Sequence, residues 1–105
     1  MANNVFAPGQ QFFTSTGALA SGQLVYIYQS GTTTKQTIYG TAANADAGTN
    51  SIANPLTLTS TGELSTDGST PTSVYVTNAT ASVKVVRTTA SDTDPPTSPV
   101  RTEDT

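Results

Sequence analysis

The sequence predicts a small all-β domain, an antiparallel sandwich or open barrel of about five to seven short strands. Three observations predict it. Thr and Ser are abundant, and the branched Thr side chain favours extended backbone. Residues that favour helices are scarce, with only two Lys, two Glu and one Met. Short apolar segments alternate with Gly-, Asn- and Pro-containing turns. The length of 105 residues fits one domain.

The composition limits the classes of function. Charged residues make up 10% of the chain and the net charge is −3, too few cations to neutralise a nucleic-acid backbone. The absence of Cys excludes disulfides and thiol sites, and the absence of His removes the commonest acid–base group and metal ligand. The first residues do not match a signal peptide, and no apolar run reaches a membrane-spanning length. We therefore expect neither a nucleic-acid partner nor a membrane partner.

The strongest predicted strand runs from residue 23 to residue 29. Leu24, Tyr26 and Tyr28 share one face of this strand, and Val25 and Ile27 share the other. A strand that is apolar on both faces is normally covered on both. Leu, Ile, Val and Phe together reach only about 18% of the residues. We therefore expect another chain to supply part of the cover.

The remaining predicted elements are short and bounded by turn residues. They are a strand at 11–14, a hairpin at Ser30–Gly31 into a Thr-rich strand at 32–39, one helical turn at 42–47, a strand at 55–59, a hairpin turn at Asp67–Gly68, and strands at 73–77 and 82–89 paired through a tight turn. The domain organisation predicted from these elements is an N-terminal arm at 1–10, a β domain at 11–90, and an extended linker or start of a fibre at 91–105.

No arrangement of residues predicts catalysis. Ser and Thr have no His beside them, and no G-x-S-x-G motif occurs. The acid pairs Glu63 with Asp67 and Asp92 with Asp94 fall in turn or linker sequence, which favours solvated turn formers over glycoside cleavage. Pro95 follows Asp92-x-Asp94 and breaks the pattern of a calcium loop. We expect a protein that is not an enzyme and holds no metal or cofactor.

Aromatic and apolar side chains are the candidates for a partner interface. On a β-sheet, aromatic rings pack in the core, stack on sugars or anchor a protein interface, and the residues alone leave these three open. The predicted interface residues are Val5, Phe6, Phe12 and Phe13 near the N-terminus, and Tyr26, Tyr28 and Tyr39 on strands.

Several separated stretches together resemble one phage pattern. The stretch from Gly17 to Thr34 resembles a small-residue turn followed by G-x-L-Y-x-Y-x-x-G-T-T-T. Residues 54–63 resemble N-P-L-x-L-x-x-x-G, and residues 83–86 with 99–104 resemble a closing Y-K-V-x-L … V-x-R-T-x-D. Over roughly residues 10 to 104, the chain resembles the N-terminal virion-anchoring (head-binding) domain of bacteriophage tail fibres and tailspikes.

This resemblance implies a trimeric, non-catalytic all-β unit. Such a unit docks a fibre to portal, adaptor, neck or tail proteins of the virion and is made in the host cytoplasm. We expect the arm to lie on the partner ring and leftover apolar residues to pack around a three-fold axis. Two alternatives stay open: a capsid decoration or head-fibre protein, and a carbohydrate-binding β-module.

Overall fold

The computed structural model describes residues 3–4, 17, 19–77, 83–97, 99 and 101–104. Its elements are short and mostly extended. They are β1 Asn3–Asn4, β2 Leu24–Gln29, β3 Ile38–Tyr39, α1 Ala42–Ala47, β4 Ser51–Ile52, β5 Leu56–Leu58, β6 Leu64–Ser65, β7 Tyr75–Val76, β8 Val83–Thr88 and β9 Arg101–Asp104.

The strands form two antiparallel sheets. The larger has the order β6-β5-β2-β8-β9, and the smaller has the order β1-β7-β3-β4. Apolar side chains from both sheets, among them Ile27, Leu56, Ile38 and Val76, pack into one buried cluster. Two sheets over a shared core make a sandwich. The prediction of a small all-β antiparallel fold is confirmed.

Strand β2 lies at the centre of the larger sheet. It pairs with β8 over six residues, from Leu24 opposite Thr88 to Gln29 opposite Val83, and with β5 on its other side. The predicted division of its side chains is confirmed, because Val25 and Ile27 face the shared core. Tyr26 and Tyr28 belong to a second buried cluster. Both faces of this strand are therefore buried within a single chain.

The helical turn predicted at 42–47 is present as α1. The hydroxyl of Thr41 accepts a hydrogen bond from the Asn44 N–H at 3.1 Å, which caps the first turn. Gly48 ends the helix in the left-handed region at φ 70°, which glycine adopts at little cost. The helix lies against β3 and β7, with Ala45 buried.

The Thr-rich segment after β2 differs from its prediction. A turn at Ser30–Gly31 reverses the chain, with Gly31 at φ 74°, and Lys35 forms a single bridge opposite Tyr28. The chain then crosses to the smaller sheet. Of the predicted strand at 32–39, only Ile38–Tyr39 forms a strand there. The prediction of one continuous strand at 32–39 is wrong, because Lys35 bridges to β2 of the larger sheet whereas Ile38–Tyr39 pairs with strands of the smaller sheet.

The predicted hairpin between the two late strands is also wrong. Strands β7 and β8 do not pair with each other, because β7 belongs to the smaller sheet and β8 pairs with β2. Two terminal segments join the sheets as well: Asn3–Asn4 of the expected arm pairs with β7, and Arg101–Asp104 of the expected linker pairs with β8. The strand predicted at 11–14 lies outside the described residues.

Candidate interaction surface

The second buried cluster consists of Tyr26, Tyr28 and Val86, and a lysine lies over each tyrosine ring. Tyr26 and Tyr28 stack with their ring centres 5.7 Å apart and their planes 7° from parallel. The Lys35 ammonium lies 5.7 Å from the centre of the Tyr26 ring, and the Lys84 ammonium lies 5.4 Å from that of Tyr28. Both cations are within reach of the negative ring faces. Two charged side chains of the same chain thus lie over the tyrosine face of β2.

Burial changes the acidity of both phenols. Loss of hydration raises the pKa of Tyr28 to about 12, and the Asp94 carboxylate and Tyr26 add to the effect. Burial is also the main cause that raises the pKa of Tyr26, with Asp94 adding to it and Lys35 opposing it. The Tyr28 hydroxyl has no hydrogen-bond partner among the described residues. Both tyrosines are therefore neutral at physiological pH.

A turn built on Asp92 follows β8 and lies beside this cluster. Its carboxylate accepts hydrogen bonds from the Thr88 hydroxyl at 2.7 Å, the Thr93 N–H at 2.8 Å and the Thr97 hydroxyl at 2.9 Å. Asp94 of the same turn pairs with Lys35 at 2.6 Å, with both side chains close to half exposed. The turn thus connects the end of β8 to the loop that follows β2.

The acid pair Glu63 and Asp67 also organises turns. Asp67 accepts from the N–H groups of Ser69 and Thr70, each at 2.9 Å, and these backbone contacts, Thr70 first, hold its pKa below the usual value. Glu63 accepts from the Thr61 hydroxyl at 2.8 Å. Within the described ranges, no three acidic side chains converge to form a possible metal site.

Asn54 joins two strands of the larger sheet to the segment that crosses between the sheets. Its side-chain oxygen accepts a hydrogen bond from the Ile27 N–H at 3.1 Å. Its amide nitrogen donates to the carbonyls of Ile27 at 2.7 Å and Gln36 at 2.9 Å. The side chain therefore holds the entry to β5, the middle of β2 and the segment that crosses between sheets.

The predicted interface residues divide into two groups. Val5, Phe6, Phe12 and Phe13 lie outside the described residues. Tyr26, Tyr28 and Tyr39 are buried, with exposed fractions of 2%, 1% and 6%. Rings so deeply buried offer little area to a partner or a sugar in the single chain, and the role of these tyrosines in an interface stays a prediction.

Exposed apolar area is small in the described part of the chain. There, Leu19, 40% exposed, is the one large hydrophobic side chain at the surface. The described residues do not form the exposed apolar face that packing around a three-fold axis would need.

The edges of the two sheets are another part of the surface that could bind a partner. In the described residues, the outermost strands are β1 and β4 in the smaller sheet and β6 and β9 in the larger. The outer side of β6 is occupied by its own chain, since Pro71 bridges to Ser65 and the Thr72 N–H donates to the Leu64 carbonyl at 2.8 Å. Strand β9 is the longest of the four edges, and Thr102 in it is exposed.

Sequence reasoning missed the structural role of three polar residues. Nothing in the alternation of apolar residues marks Asn54, Lys35 or Asp94, because their partners are distant in the chain. The Asn-Pro pair at 54–55 indicated only a boundary. The Asp and Pro residues at 92–96 did indicate turn or linker sequence.

Comparison with protein-family models, with curated proteins and with solved structures found no match. Within the described ranges, no helix has the length and hydrophobicity that a membrane span requires.

Proposed function

We propose that this chain is a structural virion module that anchors a bacteriophage tail fibre or tailspike to the portal, neck or tail. The main support for this proposal is the arrangement of the stretches that carry the resemblance. The stretches that carry the resemblance are far apart in the chain, yet they form neighbouring strands of one sheet. The stretch 17–34 contains β2, the stretch 54–63 contains β5, and the stretches 83–86 and 99–104 contribute to β8 and β9.

Specific contacts connect these stretches to one another. Asn54, which opens the second stretch, bonds to the backbone of Ile27 in the first. Gly31 and Gly62 provide turns with φ of 74° and 77° at the places where the pattern has glycine. A pattern whose separated parts meet in space is the signature of a folding unit. That these stretches share one sheet supports the proposal.

The described residues expose few large hydrophobic side chains, which fits a module that docks through a separate apolar segment. Residues near the N-terminus include Val5, Phe6, Phe12 and Phe13, and in our proposal these side chains contact the portal, adaptor or neck protein. The strand Asn3–Asn4 pairs with β7 and fixes the start of this segment on the module. In this proposal, docking combines the β-sandwich with the apolar residues that follow Asn3–Asn4 in the sequence.

Incorporation into virions tests the proposal. The double variant Phe6→Ser with Phe12→Ser leaves Asn3–Asn4 in place, and we expect it to fold but to be lost from purified particles. Thr33→Ser, in the exposed turn after β2, is the matched control and is incorporated normally. Normal incorporation of the double variant would contradict the docking role of the N-terminal residues.

Imaging decides the location of the chain on the particle. Gold-labelled antibody against the purified chain should mark the neck or the tail in electron micrographs. Label spread over the capsid surface would instead support a decoration or head-fibre protein and overturn the anchoring role. The buried tyrosines argue against the carbohydrate-binding alternative, and a glycan array without bound sugars is the expected result.

A further inference from the structure

The turn after β6 contains Asp67-Gly68, the one place in the sequence where an Asp or Asn precedes a Gly. The turn requires glycine because Gly68 lies at φ 82°, in the left-handed region that residues with a side chain rarely adopt. Glycine also lacks the Cβ atom that would hinder attack of its nitrogen on the preceding side chain. The conformation of the turn therefore brings with it one of the dipeptides that form a succinimide most readily.

Succinimide formation is a reaction between two groups of this turn. The backbone nitrogen of Gly68 attacks the carboxyl carbon of the Asp67 side chain and forms a new C–N bond. The nitrogen loses its proton and the protonated carboxyl group loses its hydroxyl, so one water molecule leaves. A second water molecule then opens the ring at either carbonyl, which gives back aspartate or gives isoaspartate. Water is the only co-reactant.

In the folded chain, the attacking nitrogen is held by a buried hydroxyl. The Gly68 N–H donates a hydrogen bond to the Ser65 hydroxyl oxygen at 2.7 Å. That hydroxyl donates its own hydrogen to the Thr57 carbonyl at 2.6 Å, and Ser65 is fully buried. Ser65 therefore has a fixed orientation. Its bond to Gly68 fixes the peptide plane between residues 67 and 68 and retains the proton that the nitrogen must lose.

The carboxyl group is held by other contacts. Its Oδ1 atom accepts hydrogen bonds from the N–H groups of Ser69 and Thr70, each at 2.9 Å. These bonds direct the Asp67 side chain toward the residues that follow it. They also hold the pKa of Asp67 below its usual value, with Thr70 contributing most, so the protonated form that reacts is rarer at neutral pH. Both reacting groups are thus engaged elsewhere.

We propose that Asp67 is a site of spontaneous isoaspartate formation whose rate is controlled by the buried Ser65 hydroxyl. Local opening of the hydrogen bond between Ser65 and Gly68, rather than unfolding of the whole sandwich, sets this rate. Isoaspartate adds the Cβ atom of residue 67 to the main chain, so the residues after the turn lose their fit beside β6, where the Thr72 N–H donates to the Leu64 carbonyl. The modification thereby uncovers the outer edge of β6. This inference does not depend on the proposed role in a virion.

The rate of isoaspartate formation at neutral pH tests the role of Ser65. Ser65→Ala removes the acceptor for the Gly68 N–H, and we expect isoaspartate at residue 67 to form about tenfold faster than in the wild type, the effect of one lost hydrogen bond on local opening. Ile38→Ala is the control, since it destabilises the sandwich but leaves this turn intact and should keep the wild-type rate. Mass spectrometry with electron-transfer fragmentation measures all three. A wild-type rate in Ser65→Ala, or an equal acceleration in Ile38→Ala, would overturn the proposal.

An amide at residue 67 separates the role of the nitrogen from the acidity of the carboxyl group. In Asp67→Asn, the ring closes with loss of ammonia and needs no protonated carboxyl group, while the amide oxygen can still accept from Ser69 and Thr70. Deamidation, measured as a gain in mass, should be about tenfold faster when Ser65→Ala is added to Asp67→Asn. Equal deamidation in the single and double variants would show that Ser65 does not control the site.

Hydrogen exchange in the wild-type chain tests the local opening without any substitution. We expect the Gly68 N–H to exchange faster than the Ile27 N–H in the middle of β2. Low concentrations of urea should leave the Gly68 rate unchanged, because opening of one turn exposes little surface. Exchange of Gly68 that follows global unfolding, with the same urea dependence as Ile27, would overturn the proposal even if Ser65→Ala failed to fold.

Discussion

The hydroxyl of Tyr28 is a polar group held in an apolar setting. The side chain is 1% exposed, and the oxygen has no hydrogen-bond partner among the described residues. The neutral phenol tolerates this position better than the phenolate, which is why the pKa is raised to about 12. In the unfolded chain the pKa of Tyr is about 10, so the folded state keeps its proton to higher pH. The free energy of unfolding must then fall as the pH rises from about 10 to about 12.

Replacing Tyr28 by Phe should remove this alkaline loss. At pH 7, we expect Tyr28→Phe to change the free energy of unfolding by less than about 0.5 kcal/mol, since no described hydrogen bond is broken. Between about pH 10 and 12, the variant should lose roughly 2 kcal/mol less than the wild type. Urea denaturation at a series of pH values measures both. Leu19→Ala, at an exposed site that carries no titratable group, is the control and should keep the wild-type slope. An unchanged alkaline slope in Tyr28→Phe would contradict the account.

At the scale of elements, Asn54 connects strands that are not neighbours in the chain. We expect Asn54→Ala to lower the free energy of unfolding by about 1–3 kcal/mol, because the backbone groups of Ile27 and Gln36 lose side-chain partners in a part-buried site. Asn44→Ala, in α1, is the matched control, since its contact with the Thr41 hydroxyl uses the backbone N–H, which Ala keeps. The control should leave stability unchanged or raise it slightly, because Ala favours helix more than Asn does. Chemical denaturation at pH 7 measures both, and an equal loss in the two variants would contradict the role of Asn54.

Asn54→Asp refines this prediction through its pH dependence. The carboxylate keeps an acceptor for the Ile27 N–H but places negative charge against the carbonyls of Ile27 and Gln36. These contacts disfavour the ionised form, so the pKa of the introduced acid should be raised in the folded state. Stability should therefore be highest at acidic pH and fall as the pH rises through that pKa. Urea denaturation between acidic and neutral pH measures this, and a variant whose stability follows the wild-type pH profile would contradict it.

The elements also show what the sequence can and cannot predict. The apolar pattern of residues 23–29 and the glycine after them predicted a strand that is covered on both faces, the division of its side chains and the turn at 30–31. The partners of the strands were harder to predict, since β7 and β8 are close in the chain yet belong to different sheets. Strand β9 consists of charged residues and Thr, and its extended conformation comes from pairing with β8 rather than from strong propensity. Burial of the tyrosines also depends on tertiary contacts, because Lys35 and Lys84 reach the rings only after folding.

At the scale of the whole molecule, both sheets depend on one apolar core. Ile38 in the smaller sheet and Leu56 in the larger are fully buried in the same cluster. We expect Ile38→Ala and Leu56→Ala each to lower the free energy of unfolding by about 2–5 kcal/mol and to leave a single transition. Leu19→Ala, at an exposed site, is the control. Circular dichroism and tyrosine fluorescence should give coincident curves, and separate transitions for the two sheets would contradict a shared core.

The long-range pairing of β2 has a consequence for synthesis of the chain. Its partner strand follows about 60 residues later, since Leu24 pairs with Thr88 and Gln29 with Val83. A topology of such high contact order closes slowly, because the chain entropy of a long loop is lost before the strands meet. On the ribosome, β2 therefore emerges with both apolar faces uncovered and waits several seconds for β8 at ordinary elongation rates. During that interval we expect the apolar segment Leu24–Tyr28 to be open to aggregation and to binding by a chaperone.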